Sequence, residues 1–192
     1  MRDYPKSRHV HNLVVLSMIG LGAVMALKYA QEPEDKAYYQ NTPLSKVSSE
    51  KLKKLPDEFW KQRLSPKQFD VCRKGGTELP GTGKWNTHYS DGVYTCSACG
   101  HVLFDSKTKY DSKSGWPSFW DVAQSENLEF VEDNSLGTSR IEVRCAHCGA
   151  HLGHVFDDGP APTGKRYCIN SVCLDFKSRN SESSDSKQDN TK

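Results

Sequence analysis

The sequence predicts a mainly β domain of antiparallel sheets in a curved sandwich or barrel, with short helices before it and a metal site within it. From Gly83 onward, short alternating runs are separated by turn residues, and no long stretch has helical periodicity. Two CxxC pairs stand 45 residues apart in this region, a pattern typical of tetrahedral zinc. Together these observations favour one or two curved antiparallel sheets.

Composition narrows the class of protein. The 192 residues suffice for one ordinary domain with extensions. A net charge of +2, with no basic run interleaved with aromatic residues, argues against a nucleic-acid partner. The seven cysteines cannot all form disulfides within one chain, and four of them stand in CxxC pairs, so metal binding is favoured over a secreted disulfide framework.

The first 30 residues predict a targeting or anchoring segment. A basic start precedes residues 13–27, which read LVVLSMIGLGAVMAL and carry no charge. This run is shorter than the roughly 20 apolar residues of a spanning helix, but it fits a signal peptide or an uncleaved signal-anchor. Because Lys28 stands where a cleavage site needs a small residue before Ala30, membrane attachment through residues 13–30 or a secretory location is favoured, with a mitochondrial address as the alternative.

Short helices are expected before the β region. Residues 31–56 are polar and charged and predict a linker, and a helix should open at Asp57. Ser65 suits a helix N-cap, Pro66 the first helical position and Gln68 the capping-box position. That helix should end at the glycine pair 75–76.

Strand candidates follow from residue 93 onward. The Asp91-Gly92 pair before an apolar run is a hairpin signal. Residues 179–192 lack apolar side chains and predict a disordered polar tail. The strand candidates are residues 93–96, 101–104, 128–131, 140–144, 151–156 and 167–176.

The two CxxC pairs predict one structural Zn²⁺. Cys96 and Cys99, like Cys145 and Cys148, are each followed by a glycine that lets a tight turn close. Four thiolates complete a tetrahedral site and leave no open position for catalysis, so the metal should join distant parts of the domain. Local disulfides, free thiols or a His147 ligand are the alternatives.

Cys168 is the candidate reactive residue, because it stands outside both CxxC pairs in an alternating run. On a strand, Arg166, Cys168 and Asn170 share one face, opposite Tyr167 and Ile169. A thiol between a guanidinium and a carboxamide is placed to ionise, and the thiolate is the reactive form. The alternative is a buried cysteine that acts as a small hydrophobe.

Three other stretches have the chemistry to surround Cys168. The run Gly115-Trp116-Pro117-Ser118-Phe119-Trp120 predicts an aromatic wall, with core packing as the alternative. His151 and His154 fall on opposite faces of a strand unless Gly153 bends it, and we interpret them as proton donors rather than metal ligands. Asp158 belongs to the turn after that strand.

With these motifs in unbroken order over roughly residues 57–176, the chain resembles the methionine-R-sulfoxide reductase (B-type) family. The matching stretches are Gly76-Thr77-Glu78, Gly92-Val93-Tyr94-x-Cys96-x-x-Cys99, Lys109-Tyr110-Asp111-Ser112, Gly115-Trp116-Pro117-Ser118-Phe119, Cys145-x-x-Cys148-x-x-His151-Leu152-Gly153-His154-Val155-Phe156-x-Asp158-Gly159-Pro160 and Arg166-Tyr167-Cys168-Ile169-Asn170-Ser171.

The resemblance implies a catalytic domain over residues 57–178 with two antiparallel sheets and, in zinc-bearing members, a structural zinc. It implies reduction of the R epimer of methionine sulfoxide, in oxidised proteins and in free methionine derivatives, through a cysteine sulfenic acid. Thioredoxin or a small thiol would be the reductant, and the activity would serve protein repair during oxidative stress.

The resemblance also implies a role for each residue that matches the family motifs. Cys168 would be the nucleophile, and His151 and His154 would orient and protonate the sulfoxide oxygen. Trp116 would hold the substrate methyl group, beside Phe119. The polar side of the site would be tuned by Arg166, Asn170 and Asp158.

One departure from the family concerns the resolving cysteine. Many members have Gly-Cys before Gly-Trp-Pro, where this chain has Lys113 and Ser114. Cys173 would face away from Cys168 on a regular strand, so Cys72 is favoured as the resolving residue. Direct reduction by thioredoxin or a small thiol is the alternative.

Two other functions stay open from the residues alone. A zinc hydrolase or deaminase would need an open metal site. A zinc-stabilised interaction module without catalysis would need the metal but no reaction of Cys168 with sulfoxide.

Overall fold

The computed structural model describes residues 38–39, 41–135 and 137–179. The predicted membrane or signal segment and nearly all of the predicted tail lie outside these ranges. Within them, no helix is long and apolar enough to cross a membrane. Before the folded domain, the Thr42 N–H donates to the Tyr38 carbonyl over 3.0 Å.

Short helices open the folded domain. A 3₁₀ turn spans Leu44–Lys46, and the helices are α1 (Ser49–Lys53), α2 (Asp57–Arg63) and α3 (Pro66–Lys74). Residues 43–56 were predicted as linker, but this part of the chain is folded. Its composition is polar overall, yet Leu44, Val47 and Leu52 are spaced so that all three are buried.

The predicted capping of α3 is confirmed. The Gln68 N–H donates to the Ser65 hydroxyl, and the Ser65 N–H donates to the Gln68 side chain, which completes a capping box. Gly75 ends the helix in the left-handed conformation, with φ of 74°. This cap fixes the point at which the chain leaves α3 for the site residues that follow.

The domain is mainly β, with two antiparallel sheets, as predicted. The three-stranded sheet has the order β2-β1-β9, and the six-stranded sheet has the order β3-β4-β8-β7-β6-β5. The strands are β1 (Gly92–Cys96), β2 (Val102–Asp105), β3 (Lys109–Tyr110), β4 (Ser118–Phe119), β5 (Leu128–Asp133), β6 (Arg140–Cys145), β7 (His151–Phe156), β8 (Arg166–Ile169) and β9 (Leu174–Ser178).

The run predicted as a single strand over residues 167–176 is two strands in different sheets. A 3₁₀ turn at Ser171–Cys173 separates β8 from β9. Tyr167 and Ile169 are apolar at odd positions, whereas Val172, Leu174 and Phe176 are apolar at even positions, so the alternation changes phase at the turn. The prediction of a single strand did not take this change of phase into account. Because of the turn, Cys173 does not lie on the strand that carries Cys168.

Three packed aromatic rings form part of the core beside the site. Phe119 stacks on Phe104 with ring centroids 4.3 Å apart, and Tyr94 meets Phe119 edge-on at 5.1 Å. All three side chains are fully buried. The short strands β3 and β4 join this core to β8, and they escaped prediction because two residues are too few to show an alternating pattern.

Candidate functional site

The four CxxC cysteines form one compact cluster that could hold a metal ion. Their sulfur atoms all lie within 4.8 Å of one another, and all four side chains are buried. The Sγ atoms of Cys96 and Cys148 are 3.8 Å apart, and those of Cys99 and Cys145 are 3.7 Å apart. Four thiolates at about 2.3 Å from one Zn²⁺ in a tetrahedron would lie about 3.8 Å apart, so the donor set fits zinc.

Each half of this cluster is the same tight turn. The N–H of the glycine after the second cysteine donates to the carbonyl of the first, over 2.7 Å at Gly100 and 2.8 Å at Gly149. Both glycines have positive φ, 76° and 74°, which an L side chain rarely adopts. Since Cys96 ends β1 and Cys145 ends β6, the cluster joins the two sheets.

His147, the alternative ligand, belongs to a different arrangement. Its ring stacks on His101 with centroids 4.6 Å apart, and its Nε2 lies 3.2 Å from the Leu44 carbonyl oxygen. The metal cluster therefore consists of thiols alone.

Cys168 lies on β8 between β4 and β7, opposite Ser118 on one side and His154 on the other. It is half-buried and lines a cavity of about 130 Å³. The predicted alternation of β8 is confirmed, because Tyr167 and Ile169 are buried on the other face. The cavity residues are Thr77, Trp116, Arg140, Gly153, His154, Phe156, Cys168 and Asn170.

Gly153 allows β7 to approach β8 closely. A Cβ atom at this position would lie 2.0 Å from the carbonyl oxygen of Cys168. The pairing of β6 with β7 also shifts register beside Gly153, between Val143 and Arg144. The predicted bend is therefore present, and it brings the rings of His151 and His154 to within 5.7 Å of each other.

The surroundings of Cys168 do not favour ionisation, contrary to the prediction. Burial raises the pKa of the Cys168 thiol above its usual value. Ser114 and Arg166 lower this pKa, but their effect is smaller than that of burial. Asp158, which binds the Arg166 guanidinium, acts in the opposite direction, so the resting residue is a protonated thiol at neutral pH.

His151 is buried and does not line the Cys168 cavity. Its Nδ1 lies 2.7 Å from Glu142 Oε1, and its Nε2 lies 3.5 Å from Asn170 Nδ2. Since the amide nitrogen can only donate, Nε2 accepts and Nδ1–H donates to the carboxylate. Burial lowers the pKa of His151, although Glu142 raises it, so the imidazole is neutral at neutral pH.

His154 is the histidine that faces Cys168. Its Nε2 lies 2.7 Å from Asp133 Oδ2, and Arg140 donates to the same oxygen over 2.5 Å. Hydrogen bonds from Ser135, followed by those from His154 and Arg140, hold the pKa of Asp133 well below its usual range. This carboxylate orients the ring of His154.

Arg166 and Asp158 form a bidentate ion pair next to the cavity. The Arg166 Nε–Oδ1 and Nη2–Oδ2 distances are 2.7 and 2.8 Å. The guanidinium also lies 4.3 Å from the ring centroid of Phe156, which is a cavity residue. The Arg166 guanidinium therefore contacts a cavity residue and places its positive charge near Cys168.

Of the predicted aromatic wall, only Trp116 lines the cavity. Its Nε1–H donates to the Glu78 carbonyl oxygen over 3.1 Å. Phe119 was predicted to contact substrate, but the structure corrects this. Phe119 follows Ser118 on β4 and so points to the opposite face, into the core.

Three serine hydroxyl groups lie next to one another beside Cys168. Ser114 Oγ lies 3.8 Å from Cys168 Sγ and 2.8 Å from Ser112 Oγ. Ser112 is in turn 2.7 Å from Ser118 Oγ. These three hydroxyl groups form a polar chain that ends at the catalytic candidate.

Cys72, favoured above as the partner of Cys168, is instead disulfide-bonded to Cys173. Their Cα atoms are 5.8 Å apart, within the usual range for a disulfide. The bond forms because the 3₁₀ turn after β8 redirects the chain and brings Cys173 next to Cys72 on α3. Four clustered thiols, this disulfide and one free Cys168 account for the odd number of cysteines.

Sequence reasoning did not identify the carboxylates that bind the two histidines. Asp133 and Glu142 come from β5 and β6 and meet the histidines only through the pairing of β6 with β7 and of β5 with β6. One signal was available: Arg140, Glu142 and Arg144 alternate along β6 and so share a face. Charged residues repeated on one face of an inner strand indicate a polar site rather than a solvent-exposed surface.

Comparison with known proteins gives a consistent result. Residues 64–178 match the SelR domain. A protein of Methanosarcina barkeri named peptide methionine sulfoxide reductase MsrB is 54% identical over 129 residues, which cover 67% of this chain and 91% of that protein. A Pseudomonas fluorescens protein of the same name is 55% identical over 130 residues, 68% of this chain and 98% of that protein. One from Pseudomonas entomophila is 56% identical over 122 residues, 64% and 93% of the respective chains.

Proposed function

Because the chain belongs to the methionine-R-sulfoxide reductase (B-type) family and is a peptide-methionine (R)-S-oxide reductase, we propose that Cys168 performs the reduction. The observation that carries this proposal is the cavity that Cys168 shares with Trp116 and His154. Substrates are proteins that contain oxidised methionine, together with free methionine derivatives. We assign the catalytic residues to a domain over residues 57–178, which the folded residues 43–56 precede.

In the first step, the sulfur of Cys168 attacks the sulfur of the sulfoxide. The sulfur–oxygen bond breaks, the oxygen ends on Cys168 as a sulfenic acid, and methionine leaves with the electron pair. The proton of the resting thiol is retained on the sulfenic acid, so atoms and charge balance. The substrate methyl group lies against the ring of Trp116.

Each polar residue of the site has a different role in this proposal. His154 lines the cavity and relays the proton of the Cys168 thiol to the sulfoxide oxygen during the attack. His151 orients the site through its contact with Asn170, which also lines the cavity. Arg166 and Asp158 hold Phe156 and adjust the charge beside the thiol.

Regeneration requires a thiol from outside the cavity. A reductant thiol such as that of thioredoxin attacks the sulfenic sulfur, water leaves, and a second thiol releases Cys168 from the mixed disulfide. Ser114 offers only a hydroxyl group at the contacting position. Cys72 can act as an internal resolving thiol only after its bond to Cys173 is reduced.

Zn²⁺ held by the four clustered thiolates would join the two sheets and supply stability rather than chemistry. The cluster belongs to the two CxxC turns, whereas Cys168 lies on β8.

The test is Cys168→Ser, with Cys173→Ser as the matched control. We expect Cys168→Ser to abolish reduction of an R-epimer peptide, because an alcohol cannot take the oxygen. Cys173→Ser should still yield one methionine per chain in a single turnover without reductant. Turnover by Cys168→Ser would contradict the assignment. A metal-loaded wild type that does not reduce the sulfoxide would instead favour a non-catalytic interaction module.

The resolving step is tested by intact-mass measurement of fully reduced wild type after one turnover. We expect a persistent sulfenic acid at Cys168. A loss of water that peptide mapping assigns to a Cys72–Cys168 bond would instead establish Cys72 as the resolving residue.

A further inference from the structure

Glu78 is a buried carboxylic acid that has no role in the reaction described above. Its Oε1 accepts a short hydrogen bond from the Ser171 N–H, and its Oε2 accepts from the Val172 N–H over 3.2 Å. These are the first two N–H groups of the 3₁₀ turn Ser171–Cys173, and such groups lack partners within the turn itself. Glu78 therefore caps a turn that lies 93 residues away in the sequence.

Asn170 stands at the N-cap position of the same turn but does not cap it. Asparagine is among the favoured N-cap residues because its side-chain oxygen accepts from the N–H groups that follow. Here that role is taken by Glu78. The Asn170 amide instead donates to the Leu152 carbonyl over 3.0 Å, and it lies against His151 and the cavity.

The main chain of Glu78 binds both walls of the cavity. Its N–H donates to Asn170 Oδ1 over 3.1 Å, and its carbonyl accepts from the indole N–H of Trp116 over 3.1 Å. The preceding residue, Thr77, lines the cavity itself. Glu78 thus connects the ring of Trp116 to the side-chain amide of Asn170.

We propose that Glu78 is a positioning residue of the reductase site, whose carboxylate caps the turn and so releases the Asn170 side chain to serve the cavity. This inference rests on the proposed function. Without the carboxylate, the side chain of Asn170 would turn to the free N–H groups of its own turn. His151 Nε2 would then lose its contact with the Asn170 amide.

The activity test compares Glu78→Ala and Glu78→Gln with Glu58→Gln, a control at an exposed position on α2. We expect Glu78→Ala to lower kcat about tenfold or more with a smaller change in KM, because charge-assisted hydrogen bonds hold the reacting geometry. Glu78→Gln keeps one acceptor and should fall between wild type and Glu78→Ala. Adding Asn170→Ala to Glu78→Ala should cost little more, since both changes disable the same amide.

A second measurement does not depend on activity. The ¹⁵N shift of His151 Nε2 should change in both Glu78 variants and stay constant in Glu58→Gln. Folded Glu78 variants with wild-type kcat and an unchanged His151 signal would overturn the proposal, as would additive effects of the two alanine changes. If Glu78→Ala does not fold, Glu78→Gln decides by the same readouts. If wild type reduces no sulfoxide, the proposed function fails, while the His151 shift still tests the positioning.

Discussion

At the scale of single residues, the two histidines have different roles although they are only three positions apart. His151 is buried and neutral between Glu142 and Asn170, whereas His154 lines the cavity and binds Asp133. Burial raises the pKa of Glu142, but hydrogen bonds from Arg144 and His151 bring it below the usual value. The carboxylate is therefore charged at neutral pH, and it is the group that opposes the effect of burial on His151.

Glu142→Gln tests this balance. We expect the protonation midpoint of His151 to move to lower pH, because the variant loses the charge that raises the pKa of His151. The midpoint is measured by NMR titration of the imidazole. Glu132→Gln, at an exposed site on β5, serves as the control. A midpoint that stays constant or rises would contradict the prediction.

The lowered pKa of His151 in wild type also makes stability depend on pH. The folded-state pKa of His151 is lower than its unfolded value of about 6.5. The stability linked to this group is therefore present above that pH and declines as the pH falls below it. In denaturant unfolding, the free energy of unfolding of wild type should decline from pH 8 to pH 5. This decline should be smaller in His151→Asn, which lacks the titrating group.

At the scale of elements, the site depends on the close contact between β7 and β8. The carbonyl of Cys168 occupies the space where a side chain at position 153 would begin. Glycine is therefore required at this position for reasons of space. At Gly137 glycine is favoured for its φ of 76°, since a Cβ atom at that position would have no neighbour within 4 Å among the described residues.

Gly153→Ala should separate these two strands, with Gly137→Ala as its control. We expect Gly153→Ala to lower the free energy of unfolding by at least about 2 kcal/mol, because the added atom displaces the backbone of β8. Gly137→Ala should cost about 1 kcal/mol through backbone strain alone. Chemical denaturation measures both, and activity should fall only in Gly153→Ala. Equal costs would contradict the close approach.

At the scale of the whole molecule, two covalent or metal links hold the elements that carry the site. The thiol cluster joins β1 of one sheet to β6 of the other. The Cys72–Cys173 disulfide joins α3 to the turn between the sheets, across a sequence separation of 101. Both ends of the disulfide lie close in sequence to cavity residues, since Thr77 follows α3 and Asn170 precedes the turn.

Reduction of the disulfide should lower stability. Releasing a loop of this length costs about 4 to 5 kcal/mol in the chain-entropy description. We expect a fall of about 2 to 5 kcal/mol in the free energy of unfolding when reductant is added. The Cys72→Ser/Cys173→Ser double variant should show low stability with no response to reductant. A wild type that is equally stable with and without reductant would contradict this account.

Metal analysis tests the cluster. Wild type should bind one zinc per chain, Cys148→Ser should lose it and unfold at a lower temperature, and His147→Ala should keep it. The reason is that the four thiols alone complete the tetrahedral donor set. Loss of zinc from His147→Ala would instead indicate a histidine ligand.

The sequence alone was sufficient for the features that are local along the chain. The CxxC turns, the capping box at Ser65, the alternation around Cys168 and the bend at Gly153 each depend on residues a few positions apart. Their backbone geometry follows from those residue types, so the cluster of four cysteines, the strand position of Cys168 and the antiparallel β class could all be predicted.

Tertiary structure decided which side chains meet. Four features depend on tertiary contacts: the partner of Cys72, the core position of Phe119, the carboxylates that bind the histidines, and the cap that Glu78 supplies. For Cys72 and Glu78 the reason is the turn at Ser171–Cys173, which carries the chain from one sheet to the other. The alternation of apolar residues changes phase across this turn, but a change of phase does not reveal which sheet the second strand joins. Only the packing of the two sheets determines where Asn170 and Cys173 point.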